Sequence, residues 1–310
     1  MENKEISEIK RQAYAENGNG SCSGKGGKPH ITPFMANAIL MSVAIRWGGG
    51  FIAGKVALES STPQWMLFIR FGLASLCMAL LFFRRIKNAS ASCIKWGVVL
   101  GLLQFVGLYI QLFALQYTTT AKQSFLAATY VLFTPFAAWL IFRKKITAYS
   151  CAAAVLALLG IAFLSLRGSE EIQIGDFITL GFALVFSVQI VLMGKLSQEH
   201  EIISLTFFQL LSAAVFAGAA ALLSGIPTAA VTLRSGLGIL YLGVANTAVA
   251  FGLQNFAQKY TSESQAALIL SLESVFGLLF SIWFYDAVIT WQMGIGCILI
   301  FAALTVSGKG

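Results

Sequence analysis

Charge is scarce in this sequence. Lysine, arginine, aspartate and glutamate make up only 11% of its 310 residues, against roughly 25% in a soluble domain. Too few ionic side chains are present to cover a water-facing surface, which excludes a soluble globular protein and leaves an integral membrane protein. Histidine is rarer still: His30 and His200 are the only two, and neither has a metal-binding partner nearby. The five cysteines, Cys22, Cys77, Cys93, Cys151 and Cys297, form no CxxC pair, so a disulfide framework and a zinc site are both excluded. No HExxH, no serine with a histidine base and no aspartate pair is present, so the expectation is that the protein is not an enzyme. The glycine-rich stretch NGNGSCSGKGGK, residues 17–28, lacks the GxxxxGK[ST] spacing of a phosphate loop and reads as a flexible tail. No metal or organic cofactor is expected. The net charge of +8 comes from lysines and arginines between apolar runs, with no basic stripe interleaved with aromatics, so nucleic acid is not an expected partner.

Apolar side chains dominate instead. The hydrophobic fraction is 57% and the mean hydropathy +0.79. Seven charge-free stretches are candidate spans: 96–121, 123–142, 146–166, 177–194, 202–233, 235–258 and 287–308. Three more, 34–58, 63–83 and 264–285, carry one or two internal charges. A bilayer core about 30 Å thick needs roughly 20 apolar residues per helix, so the sequence predicts an all-α membrane protein of ten transmembrane helices. With the N-terminus inside, fifteen lysines and arginines fall on the cytoplasmic side and three, Lys122, Arg167 and Arg234, outside. The positive-inside rule therefore predicts both termini cytoplasmic and points to the bacterial cytoplasmic membrane, with the lipid bilayer as one partner.

A phrase recurs. QLFALQYT, residues 111–118, and QNFAQKYT, residues 254–261, share five of eight residues across a step of 143. The first closes the third predicted helix and the second closes the eighth. An odd number of crossings separates them, so the two halves lie inverted in the membrane, as in many transporters. The expected organisation is a disordered cytoplasmic tail over 1–32, a first five-helix repeat over 33–167 and a second over 168–310, enclosing a central cavity.

Chemistry is sought at the midplane. Glu273 is the one acidic residue inside a predicted span and lies about 16 Å along its helix; Arg46 lies about 18 Å along the first. A central charge costs roughly 2.5–3.5 kcal/mol on translocon scales, so neither should face lipid. Two readings stand side by side. Arg46 and Glu273 brace the bundle as an ion pair or as hydrogen-bonded charges, or Arg46 receives an anionic group while Glu273 receives an amine or a coupling proton. The 143-residue step sets Gln189 opposite Arg46 and Tyr130 opposite Glu273. Gln104 and Gln111 share a face of the third helix, and Thr247 and Gln254 a face of the eighth. These eight residues are the cavity candidates, on helices one, three, four, six, eight and nine. For the glutamines, simple interhelical hydrogen bonding is the competing role. Gly48-Gly49-Gly50 is either a hinge or a site of close helix contact. Arg70 reads as a snorkelling residue or a brace.

Several short motifs, in order, resemble the EamA-like family of the drug/metabolite transporter superfamily. They are Trp47-Gly48-Gly49 followed by Lys55, Pro63 with Arg70, the stretch around Lys122, Gln123, Phe125 and Pro135, and Ser271-Leu272-Glu273-Ser274. The resemblance covers about residues 33 to 307. It implies a 5+5 helix bundle around a cavity and the movement of a small-molecule substrate, some members exporting amino acids. The expected function is thus a secondary transporter of small metabolites, amino acids or similar polar or amphipathic compounds, working by alternating access and in the export direction. The alternatives are an uptake permease for a vitamin or nucleoside-like solute, a membrane-embedded enzyme, and a non-transporting scaffold.

Overall fold

In the computed structural model, the described residues are 31–118, 120–165, 173–225, 232–285 and 291–307. They form ten helical segments and no strand. These are α1 Pro33–Leu58, α2 Pro63–Ile86, α3 Ala91–Ala114, α4 in two pieces Thr120–Ala128 and Tyr130–Phe142, and α5 Ala148–Ser165. There follow α6 Ile174–Glu199, α7 Ile202–Ser224, and α8, an α-helical piece Leu233–Gly243 joined through the π-helical turn Val244–Val249 to Ala250–Gln258. The last two are α9, in two pieces Glu263–Leu270 and Glu273–Tyr285, and α10 Trp291–Ser307. Eight of the ten are long and apolar enough to cross a membrane; α5 and α10 are shorter and pack against each other. Residues 1–30 of the predicted tail, 17–28 included, lie outside the described residues, and Thr32 at its end caps α1.

Local chemistry starts each helix. Thr32 and Thr62 cap α1 and α2, their hydroxyls accepting from the backbone N–H of Met35 and Trp65, with Pro33 and Pro63 in the first turn. Proline there loses nothing, since that N–H has no helical partner. Ser90, Thr232 and Ser262 cap α3, α8 and α9 in the same way. Lys95, Asp176 and Lys195 lie inside helices, so the charge-free windows fell short of the true ends. The window 202–233 overran. Helix α7 stops at Ser224, where Gly225 turns to a φ of 79° that a side chain would resist.

Burial is inverted relative to a soluble protein. Leu80, Leu81, Leu222 and Leu223 are exposed, while Gln104, Gln123, Gln189, Gln209, Gln254 and Asn255 are buried. Lipid solvates the first set, and polar groups must find each other inside.

Two interior breaks matter for the site. In α4 the helix steps at Thr129, and beyond it Pro135 has no N–H to offer the Val131 carbonyl. In α9 the step falls at Ser271 and Leu272; the hydroxyls of Ser271 and Ser274 donate back to the carbonyls of Leu268 and Ser271, both at 2.7 Å. Such back-bonding bends helices. The pieces opening at Thr120, Tyr130 and Ala148 have counterparts opening at Glu263, Glu273 and Trp291, each at the step that separates the repeated phrases.

Candidate functional site

A central cavity lies between α1, α2, α3, α4, α6, α8 and α9. All six predicted helices contribute, and α2 joins them through Arg70. The cavity volume is only about 40 Å³. The walls are mostly aromatic and aliphatic: Trp47, Phe51, Leu108, Leu112, Phe182, Phe186 and Phe251. The Trp47 ring packs against Phe251 at 5.2 Å and Phe186 at 5.6 Å, between ring centroids. Five polar side chains interrupt this lining: Arg70, Gln111, Gln123, Asn246 and Glu273.

Arg70 is the buried cation of the site, 5% exposed. Its Nε donates to Thr247 Oγ1 at 2.5 Å and its Nη2 to Asn246 Oδ1 at 2.7 Å. Asn246 Nδ2 donates onward to the Arg46 carbonyl at 2.7 Å, and the Tyr241 hydroxyl donates to the same carbonyl at 2.8 Å. Trp47 Nε1 closes the network on the Asn246 carbonyl at 3.2 Å. The π-helical turn makes this arrangement possible. Its wider winding sets Asn246 and Thr247 side by side toward α2, and such turns recur at functional sites.

The glycine triplet serves close approach. A Cβ at Gly48 would stand 2.6 Å from Phe276 Cβ and 2.7 Å from the Gly277 nitrogen, and one at Gly49 2.8 Å from the Tyr241 hydroxyl. At Gly50 it would collide with the Asn246 amide. These contacts hold α1 against α8 and α9.

Glu273 opens the second piece of α9, so its carboxylate sits at a helix N-terminus within the bundle, where the macrodipole favours negative charge. Tyr130 opens the second piece of α4 and interacts with Glu273. Its hydroxyl is buried without a well-formed hydrogen bond. Among the described side chains, Glu273 has no ion-pair partner, and neither has Arg46 or Arg70. Of the arrangements left open for Arg46 and Glu273, a direct ion pair is not formed in this structure. Arg46 Nη1 instead donates to the Ser42 carbonyl of its own helix at 2.7 Å.

The other candidates divide. Gln111 lines the cavity, and its carbonyl accepts from Gln123 Nε2 at 2.5 Å. Thr247 reaches the site through Arg70. Gln104 and Gln189 are bonded to each other at 2.6 Å in a separate polar cluster, and Gln254 bonds Gln258 at 3.3 Å. Sequence reasoning passed over Arg70 and Asn246 as site residues. The missed signal was a basic residue well inside a span together with an asparagine inside another.

A profile of the EamA-like transporter family matches residues 34–166 and again 173–308. A protein from Archaeoglobus fulgidus named as an uncharacterized transporter is 32% identical over 289 residues, covering 91% of this chain and 88% of that one. The transporter YoaV of Bacillus subtilis, likewise named as uncharacterized, is 24% identical, covering 84% and 92%. One solved crystal structure superposes with a TM-score of 0.74 at 16% identity, covering 88% of this chain and 96% of its own; that likeness concerns the fold.

Proposed function

Since the chain belongs to the EamA-like transporter family, we propose that it is a secondary transporter exporting small amphipathic metabolites, with amino acids as the leading class, by alternating access. The observation that carries the reading is Arg70. A guanidinium buried in an apolar bundle, held only by a hydroxyl and an amide among the described side chains, is expensive without an anion. The cavity it faces is where a substrate carboxylate could supply one. Glu273 lines the same cavity and would receive an ammonium group, while Trp47, Phe186 and Phe251 would surround an apolar side chain. A zwitterion with a bulky tail suits all three features.

The present volume is too small for such a solute, so binding requires the helices to part. The cavity lies toward the ends of α1 and α3, with Gly54 and Leu115 in its wall. At the opposite end, Lys144 Nζ meets Glu263 Oε1 at 2.6 Å. Alternating access would open the bundle at one of these ends at a time. The two five-helix repeats are proposed to lie inverted, with both termini cytoplasmic; the matched segments and the equivalent helix breaks support this. Glu273, beside Tyr130, is the proposed carrier of a coupling proton.

A second reading, uptake of a vitamin or nucleoside-like solute, draws on the aromatic lining, which could stack a heterocycle. Flux into and out of sealed proteoliposomes tests both. Counterflow of an apolar or aromatic amino acid, without counterflow of nucleosides, supports the first reading. Nucleoside or vitamin flux alone replaces it with the second, and no flux of any panel solute removes both.

A further inference from the structure

The Arg70 network has a neutral twin. Gln189 Nε2 and Gln209 Nε2 both donate to Gln104 Oε1, at 2.6 and 2.9 Å, and Asn255 Nδ2 donates to Gln209 Oε1 at 2.9 Å. This cluster joins α6, α7 and α3, with Asn255 of α8 bonded to its edge. The Arg70 network joins α1, α2 and α8. The 143-residue step carries α1 onto α6, α2 onto α7 and α3 onto α8, and it carries Arg46 onto Gln189 and Gln104 onto Thr247. In each network the first two helices of one half hold the third helix of the other.

The twins differ in access. Arg70 and Asn246 line the cavity, whereas none of the cluster's amides does. Gln104, Gln189, Gln209, Gln254 and Asn255 are each at most 2% exposed. Yet Gln104 Nε2, Gln254 Oε1 and Asn255 Oδ1 are buried without a hydrogen-bond partner. A buried polar atom left unpaired costs about 1–3 kcal/mol, and two such atoms in the cluster with a third on the adjoining residue of α8 are more than a purely structural brace should carry. A second amide pair lies toward the end of α8: Gln254 Nε2 donates to Gln258 Oε1, and Gln258 Nε2 donates to the carbonyl of Ile190, the residue after Gln189, both at 3.3 Å. Beyond it lie the Lys144–Glu263 pair and the contact of Gln198 Nε2 with the Lys259 carbonyl at 2.5 Å.

We infer that this amide file is the second half of the translocation path, shut in this structure, and that it takes the hydrogen-bonding groups of a polar solute and its accompanying water when the Lys144–Glu263 end opens. The inference rests on the transport reading. It deepens that reading by naming the exit route and its chemistry. The file offers donors and acceptors without net charge. A solute released from Arg70 and Glu273 therefore meets no further charge along the file until it reaches the Lys144–Glu263 end.

Thiol accessibility tests it. In a cysteine-free background that retains flux, Asn246→Cys, Gln189→Cys and Gln209→Cys are exposed to a membrane-impermeant methanethiosulfonate from each side of oriented vesicles. Asn246→Cys should react from one side. Gln189→Cys and Gln209→Cys should react from the other, about 10- to 1000-fold more slowly, as a minor state populated at 0.1–10% requires. Adding Glu263→Gln should speed the two glutamine positions and slow Asn246→Cys. If Asn246→Cys reacts while both glutamine positions stay inert with and without Glu263→Gln, the inference fails and the transport reading stands. If Asn246→Cys is also inert and the wild-type protein moves no solute, both fail. Two glutamine positions are used so that misfolding of one variant leaves the other to decide.

Discussion

Replacing Arg70 by methionine should abolish tight substrate binding and, separately, lower the stability of the fold. The two effects separate because they draw on different terms. In the empty protein, Arg70 makes charge-assisted hydrogen bonds to Thr247 and Asn246, each worth about 1.5–3 kcal/mol. Against them stands the penalty for a charge within the bundle, about 2.5–3.5 kcal/mol on translocon scales. Methionine removes both and keeps most of the side-chain length. It leaves Asn246 Oδ1 without its donor, a further cost of about 1–3 kcal/mol. The lost bonds and the orphaned oxygen together cost about 4–9 kcal/mol against about 2.5–3.5 kcal/mol recovered, so the variant should be less stable by roughly 0.5–6.5 kcal/mol and its midpoint of thermal unfolding in detergent should fall. Binding is another matter. A carboxylate loses one charge-assisted contact of about 1.5–3 kcal/mol, which at 1.4 kcal/mol per tenfold weakens it by about 10- to 150-fold. Half-saturation of counterflow in proteoliposomes measures this, with the amino acid and its carboxamide compared. The carboxamide should bind wild type and variant alike. If Arg70→Met transports the carboxylate form with unchanged half-saturation, Arg70 is only a brace and the substrate assignment falls.

Other outcomes follow from the same geometry. Gly48→Ala should destabilise by about 1–3 kcal/mol through overpacking, because its Cβ meets Phe276 and the α9 backbone; Gly72→Ala, with nothing within 4 Å, should stabilise slightly by helix propensity, and thermal unfolding distinguishes them. Glu273→Gln should lose accumulation driven by a pH gradient yet retain substrate exchange, measured by counterflow at equal pH; accumulation that persists removes the proton role. Lys144→Glu with Glu263→Lys should restore the sidedness of thiol labelling lost in either single variant, since the pair at 2.6 Å acts by complementarity; failure of the double variant to restore it refutes the latch.

How far the sequence could be read follows from the solvent. Hydropathy marked the segments because lipid demands long apolar helices, and the repeat was visible because it survives in the words QLFALQYT and QNFAQKYT. The face each helix turns inward was much harder to see. With lipid outside and apolar packing inside, both faces of α1 look alike, so depth alone drew attention to Arg46. Its guanidinium turns back to its own helix, and the backbone carbonyl of the same residue joins the network. The sequence reads Arg70 as a snorkelling residue or a brace and not as a cavity residue, because a basic residue about 10 Å from a span's end has snorkelling as its ordinary explanation. Only the π-helical turn, which sequence periodicity does not announce, brings Asn246 and Thr247 to meet it. The glycine triplet shows the opposite case. Its composition fitted a hinge as well as a contact, and the neighbours decided it: Phe276, Tyr241 and Asn246 occupy the space where side chains would stand. Close approach at that point also fixes what can move. If α1 is held to α8 and α9 through three successive glycines, it must travel with them when the cavity opens, and the separation has to occur where α3, α4 and α6 face that unit. The cavity and the amide file both lie along that seam, which is why access to one should be gained as access to the other is lost.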